Sequence, residues 1–149
     1  MSLGLKIKGR AIEILHVEDN PSDAGLLKQV LKKAGFPNHL HTVADGEEAL
    51  QFVKKQKTHA EAPTPDVILL DLKLPKKDGL SVLNELRQDP NHQSIPVIVL
   101  TGSDSELNVD WAKRLNANQY LVKPYELEGF KELLGYLREI WMKTFRRRY

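Results

Sequence analysis

Pro65-Asp66-Val67-Ile68-Leu69-Leu70-Asp71 is the stretch on which the fold turns. Its four apolar residues run without interruption, so neither side of the segment is left for water, and turn formers bound the run. A short continuous run of this kind reads as a strand buried on both faces of a parallel sheet. Ile95-Pro96-Val97-Ile98-Val99-Leu100 repeats the pattern downstream, and Ala11-Ile12-Glu13-Ile14-Leu15-His16-Val17 is a further apolar run upstream, broken by Glu13 and His16. His39-Leu40-His41-Thr42-Val43 alternates and reads as an edge strand, while Gln119-Tyr120-Leu121-Val122 is a fifth run that stops at Lys123-Pro124.

Helical patterns fill the intervals. Asn20 caps and Pro21 opens the first, with Asp23 complementing its dipole. Leu27, Val30, Leu31 and Ala34 carry it until Gly35. Asp45-Gly46-Glu47-Glu48 opens a second helix with Ala49, Leu50 and Val53 on one side, and Leu80, Val82, Leu83 and Leu86 mark a third. Asp104 to Asn116 is a fourth, and the stripe Phe130, Leu133, Leu134, Leu137, Ile140 and Trp141 a fifth. Lys57 to Pro65 reads as a surface loop. Five strand–helix alternations argue for a parallel sheet covered on both faces, and right-handed crossovers restrict its winding. The expectation is a doubly wound five-stranded α/β sheet, order 2-1-3-4-5. In such sheets the site lies beyond the carboxyl ends of the strands.

Composition narrows the function. The chain has 149 residues, one domain at roughly 150 residues each. A net charge of +2 gives no sign of a nucleic-acid or membrane binder. The absence of Cys excludes disulfides, thiolate catalysis and Cys-based zinc sites. No apolar run approaches the roughly 20 residues of a bilayer-crossing helix, and residues 1–10 lack the apolar core of a secretory signal. A cytoplasmic location is expected. After strand 1 come Glu18 and Asp19; strand 3 ends at Asp71, strand 4 at Thr101 and strand 5 at Lys123. In the expected topology these converge. Three carboxylates repel unless offset, and Lys123 with Mg²⁺ can offset them, leaving sites for water and phosphate oxygens. A phosphoryl group would then find Lys123 and Thr101 for its oxygens and Asp71 as nucleophile.

These residues carry a resemblance. Val17-Glu18-Asp19-Asn20, Asp71-Leu72-Lys73-Leu74-Pro75-Lys76-Lys77-Asp78-Gly79, Leu100-Thr101-Gly102-Ser103 and Tyr120-Leu121-Val122-Lys123-Pro124 resemble the motifs of bacterial response-regulator receiver domains, from about Ala11 to about Trp141. The resemblance implies the flavodoxin-like receiver fold with five helices, and Asp71 as acceptor of phosphate from a histidine kinase's phosphohistidine. It implies Mg²⁺ on Asp19, Asp71 and the main-chain carbonyl of Lys73, with Glu18 acting directly or through water. Thr101 and Tyr120 would be the switch residues, and Lys123–Pro124 a cis peptide. Such a chain is a signalling phosphoacceptor, not an enzyme acting on other substrates.

Glu18-Asp19, Asp71 to Gly79, Gln88-Asp89-Pro90 and Lys123-Pro124-Tyr125 are similar to stand-alone receivers that partner cyanobacterial and bacterial phytochromes. A phytochrome-type sensor kinase is the implied partner. The expected organisation is a lead-in (1–10), a receiver (11–141) and a basic aromatic extension of the last helix (142–149). Trp111, Tyr125, Trp141 and Phe145 cluster where the family's switching face lies, built from the fourth helix, fifth strand and fifth helix. They are expected at an interface, with a homodimer formed through that face. The alternative weighed is a pseudo-receiver that is never phosphorylated and only binds partners. A haloacid-dehalogenase-type phosphatase would need an acid two residues after Asp71, where Lys73 stands. A nucleotide- or flavin-binding doubly wound protein would need a Gly-rich loop where Glu18-Asp19-Asn20-Pro21 stands.

Overall fold

The computed structural model describes residues 10–102, 106–124 and 126–148. Its strands are β1 (Ile12–Val17), β2 (Asn38–Val43), β3 (Val67–Asp71), β4 (Val97–Thr101) and β5 (Gln119–Val122). All pair in parallel in the order β2-β1-β3-β4-β5. The helices are α1 (Pro21–Lys32), α2 (Gly46–Lys54), α3 (Gly79–Gln88), α4 (Glu106–Arg114) and α5 (Lys131–Arg148). The expected winding is the one found, a flavodoxin-like receiver fold.

Alternation along the strands divides the core in two. Val67 and Leu69 of β3, with Ile98 and Leu100 of β4, meet Leu27 and Leu31 of α1, Leu133 and Leu137 of α5, and Phe130 just before α5. Ile68, Leu70, Val97 and Val99 meet Phe52 and Val53 of α2, Leu83 and Leu86 of α3, and Ala112 of α4. Every residue of β3 and β4 is buried, which is why their sequences carry no alternation. β2 is half-exposed along most of its length, as an edge strand should be.

Helix starts follow the side-chain caps. Asn20 Oδ1 accepts from the Ser22 and Asp23 N–H groups, Asp45 Oδ1 from Glu48, and Asp78 Oδ1 from Ser81. The ends are less legible. Helix α1 stops at Lys32, short of Gly35, and no described glycine has a positive φ. Its termination uses Asn38 instead, whose Nδ2 donates to the Leu31 carbonyl at 3.0 Å. Helix α2 ends on Lys55 in the left-handed region, φ 57°. The connection read as a loop holds a one-turn 3-10 helix, Lys57–His59, and another, Leu127–Phe130, precedes α5.

Candidate functional site

Parallel register brings the strand ends to one edge. Val17 lies beside Leu70, Asp71 beside Leu100, and Thr101 beside Val122. Glu18, Asp71, Thr101 and Lys123 therefore sit at the same level of four adjacent strands. Main-chain bonds fix two of them: Glu18 N–H donates to the Val43 carbonyl at 2.9 Å and Lys123 N–H to the Thr101 carbonyl at 2.8 Å.

Lys123 is the hub. Its Nζ lies 2.8 Å from Glu18 Oε1, 2.8 Å from Asp71 Oδ2 and 3.1 Å from Asp23 Oδ2, and its side chain is 12% exposed. Burial alone would lower the lysine pKa, but hydrogen bonds to Asp71, Glu18 and Asp23 outweigh it and hold the ammonium above its ordinary range. Glu18 is 3% exposed. Burial pushes its carboxyl pKa up, the bonds from Lys123 and the Asn20 N–H pull it down, and repulsion from Asp71 adds to the net rise.

Asp71 is 6% exposed, and its Oδ1 accepts from the Lys73 N–H at 3.1 Å. Behind it, the start of α3 presses on the end of β3. Gly79 donates to the Leu72 carbonyl at 3.0 Å, and a Cβ at Gly79 would collide with the Asp71 carbonyl oxygen. The glycine lets the helix approach closely enough to back the site. Thr101 is buried at the end of β4, and Tyr120 is half-buried with Lys113 Nζ 5.4 Å from its ring centre.

Glu18, Asp19 and Asp71 each offer a carboxylate oxygen within 4.8 Å of the others, Asp19 being exposed. An all-oxygen donor set open to solvent on one side fits a hard divalent cation that keeps several waters. The Lys123–Pro124 peptide departs from expectation: the described residues contain no cis bond. Lys123 reaches Glu18, Asp23 and Asp71 with that peptide trans.

Two residues near the site went unnoticed in the sequence. Asp23 had been accounted for by the α1 dipole, yet its carboxylate turns back onto Lys123; its place in the first turn after β1 is the signal that could have found it. His16 is 2% exposed within β1, with Nε2 3.9 Å from Glu18 Oε1. Burial and the charge of Lys123 lower its pKa to about 4, so it stands neutral beside Glu18. Its Nδ1 has no hydrogen-bond partner.

The aromatic residues expected at an interface are distributed differently from one another. Trp111 on α4 is 45% exposed, with the Arg114 guanidinium 5.2 Å from its ring centre. Trp141 is half-buried: it stacks on Phe36 at 6.0 Å, and its Nε1 donates to the Arg10 carbonyl at 2.8 Å. Tyr125 and the side chain of Phe145 lie outside the described residues. Val122 at the end of β5 and Leu127 in the 3-10 helix before α5, neither anticipated, are each 57% exposed.

The chain is similar to known proteins over most of its length. The family model described as response regulator receiver domain matches residues 14–135. Response regulator Rcp1 of Synechocystis is 39% identical over 131 residues, 88% of this chain and 89% of the relative. The Mn²⁺-bound crystal structure of Rcp1 superposes with a TM-score of 0.79 at 38% identity, covering 89% of this chain and 96% of that one. The phosphorylated cyanobacterial phytochrome response regulator RcpA superposes with a TM-score of 0.81 at 37% identity, covering 91% and 96%. With the strand-end constellation, these matches establish that the chain belongs to the response regulator receiver domain family.

Proposed function

We propose that this receiver takes a phosphoryl group on Asp71 from the phosphohistidine of a phytochrome-type sensor histidine kinase, with Mg²⁺, and passes the signal on by protein–protein contact. The observation that carries the reading is the ammonium of Lys123 held 2.8 Å from both Glu18 and Asp71 at a shared strand edge. Two of the similar structures agree with it: Rcp1 with Mn²⁺ and RcpA phosphorylated. Residues 11–141 act as the receiver unit in the cytoplasm, and the extension 142–149 continues the last helix through Arg148, Tyr149 lying outside the described residues.

Glu18, Asp19 and Asp71, with the main-chain carbonyl of Lys73, would hold Mg²⁺. When bound, the cation offsets negative charge on the phosphoryl oxygens. An Asp71 oxygen attacks phosphorus in line as the P–N bond breaks. The imidazole nitrogen keeps that electron pair and takes up a proton. Lys123 then exchanges a carboxylate contact for a phosphoryl oxygen, and the Thr101 hydroxyl donates to another. Phosphorylation adds about −1.5 to −2 charge. The Lys123 exchange replaces one charge-assisted bond by another, and the Thr101 bond, at roughly 1.5–3 kcal/mol, supplies part of the about 5.5 kcal/mol that a full two-state switch requires. As Thr101 moves, Tyr120 turns inward and reshapes the surface of α4, β5 and α5, where Trp111 and Val122 lie. A homodimer forms through that surface, with Trp141 as a further contact candidate beside Tyr125 and Phe145, whose side chains lie outside the described residues.

Incubation with Mg²⁺ and a small acyl phosphate, followed by intact-mass analysis, tests the acceptor. A phosphoryl adduct on the wild type that is absent from Asp71→Asn is expected; adducts on both, or on neither, overturn the assignment. Sedimentation at tens of micromolar tests the dimer, and a strict monomer with and without phosphate refutes it.

A further inference from the structure

A second cluster of ligating side chains lies at the opposite end of β1. Glu13 Oε2 is 2.7 Å from His39 Nδ1, and Glu13 Oε1 is 2.8 Å from His41 Nε2. The arrangement follows from the sheet. Glu13 is the register partner of His39, and His41 is two residues further along β2, so all three side chains leave the same face. His41 packs against Phe52 at 5.3 Å, which holds its ring in place, whereas the His39 side chain is 63% exposed and held on one side by Glu13.

We propose that Glu13, His39 and His41 bind a divalent transition cation of the zinc class. Two imidazoles and one carboxylate are a recurrent protein ligand set for Zn²⁺, with a fourth position left to water. Imidazole selects such cations over Mg²⁺, which takes oxygen donors. The two sites are thus separated by chemistry as well as by about 16 Å, five residues along a strand at roughly 3.3 Å each.

The trio is poised, not closed. Among the described residues, Glu18, Asp19 and Asp71 form the one group with three donor atoms already within 4.8 Å of each other. At Glu13 the two nitrogens flank opposite oxygens of one carboxylate. Zinc–nitrogen distances of about 2.0–2.1 Å draw both rings toward the cation, and rotation of exposed His39 supplies that movement. Ligation ties the open edge strand β2 to β1.

Titration calorimetry with ZnCl₂ in saturating Mg²⁺ tests the site on wild type, Asp71→Asn, His39→Ala, His41→Ala and Glu13→Gln. The expected result is one saturable site, unchanged in Asp71→Asn and weakened at least tenfold in each of the other three. In side-chain NMR of the wild type, Zn²⁺ should shift the His39 and His41 ring signals and leave those of His92, which pairs with Asp89 elsewhere, in place. Circular dichroism confirms that the variants fold, and the wild-type NMR stands even where one does not. Absence of saturable binding, loss of binding in Asp71→Asn, or full affinity in any of the other three folded variants overturns the proposal.

Discussion

Replacing Lys123 by Met keeps the aliphatic stem and removes the charge that Glu18, Asp23 and Asp71 share. Removing one partner of a buried pair is costly because the remaining charge is uncompensated. Here the cost has a ceiling, since Glu18 can take a proton instead. Neutralising a carboxyl whose usual pKa is 4.5 at pH 7 spans 2.5 units, about 3 kcal/mol at 1.36 kcal/mol per unit. At pH 5 the same step spans half a unit, under about 1 kcal/mol. Lys123→Met should therefore lose about 3 kcal/mol at pH 7, roughly 6–12 °C in Tm for a domain of this size, and recover most of that at pH 5 when each is compared with wild type. Urea unfolding in a metal chelator at the two pH values measures it. An equal deficit at pH 5 and pH 7, or one below about 1 kcal/mol at pH 7, would refute the reasoning.

His16 should make the fold acid-sensitive. Its pKa falls from 6.5 unfolded to about 4 folded, so between those values the unfolded chain binds the extra proton. Its contribution is fully present above pH 6.5 and is lost as pH falls toward 4, by up to about 3 kcal/mol. A folded His16→Gln variant should flatten that slope in urea titrations; an unaltered slope removes His16 as its source. Arg87 joins the end of α3 to the β4 and β5 entrances, its guanidinium donating to the carbonyls of Gln93, Ile95 and Asn116 and to Asn118 Oδ1. An ammonium cannot reproduce that fork, so Arg87→Lys should cost about 2 kcal/mol, seen as a lowered urea midpoint; an unmoved midpoint counts against it.

The strands were legible where burial is complete. Val67 to Leu70 and Val97 to Leu100 have apolar surroundings on both faces, and nothing in their sequence competes with that reading. β5 was marked by Lys123-Pro124 more than by its own mixed burial. Helix ends were harder, because the Leu31 carbonyl at the end of α1 accepts from Asn38 of the following strand, a partner that helical periodicity does not contain. At the site, Glu18, Asp19, Asp71, Thr101 and Lys123 were readable because each directly follows or ends a strand. Asp23 was not, since a first-turn acid already has a sufficient local explanation. Trp141 was seen as an apolar residue on a long helix; its stacking on Phe36 depends on α1 and α5 sharing one side of the sheet.

The indole of Trp141 reaches the carbonyl of Arg10, and the Arg10 guanidinium reaches Asp66 at the foot of β3, 3.1 Å away. The entrance to the first strand and the middle of the final helix are thereby stitched at a single seam. Topologically the domain is almost a closed loop. A chain rejoined across that seam and reopened between Gln56 and Pro65 keeps every residue of the four strand pairings, and its folding would test how far the order of elements along the chain determines where they settle.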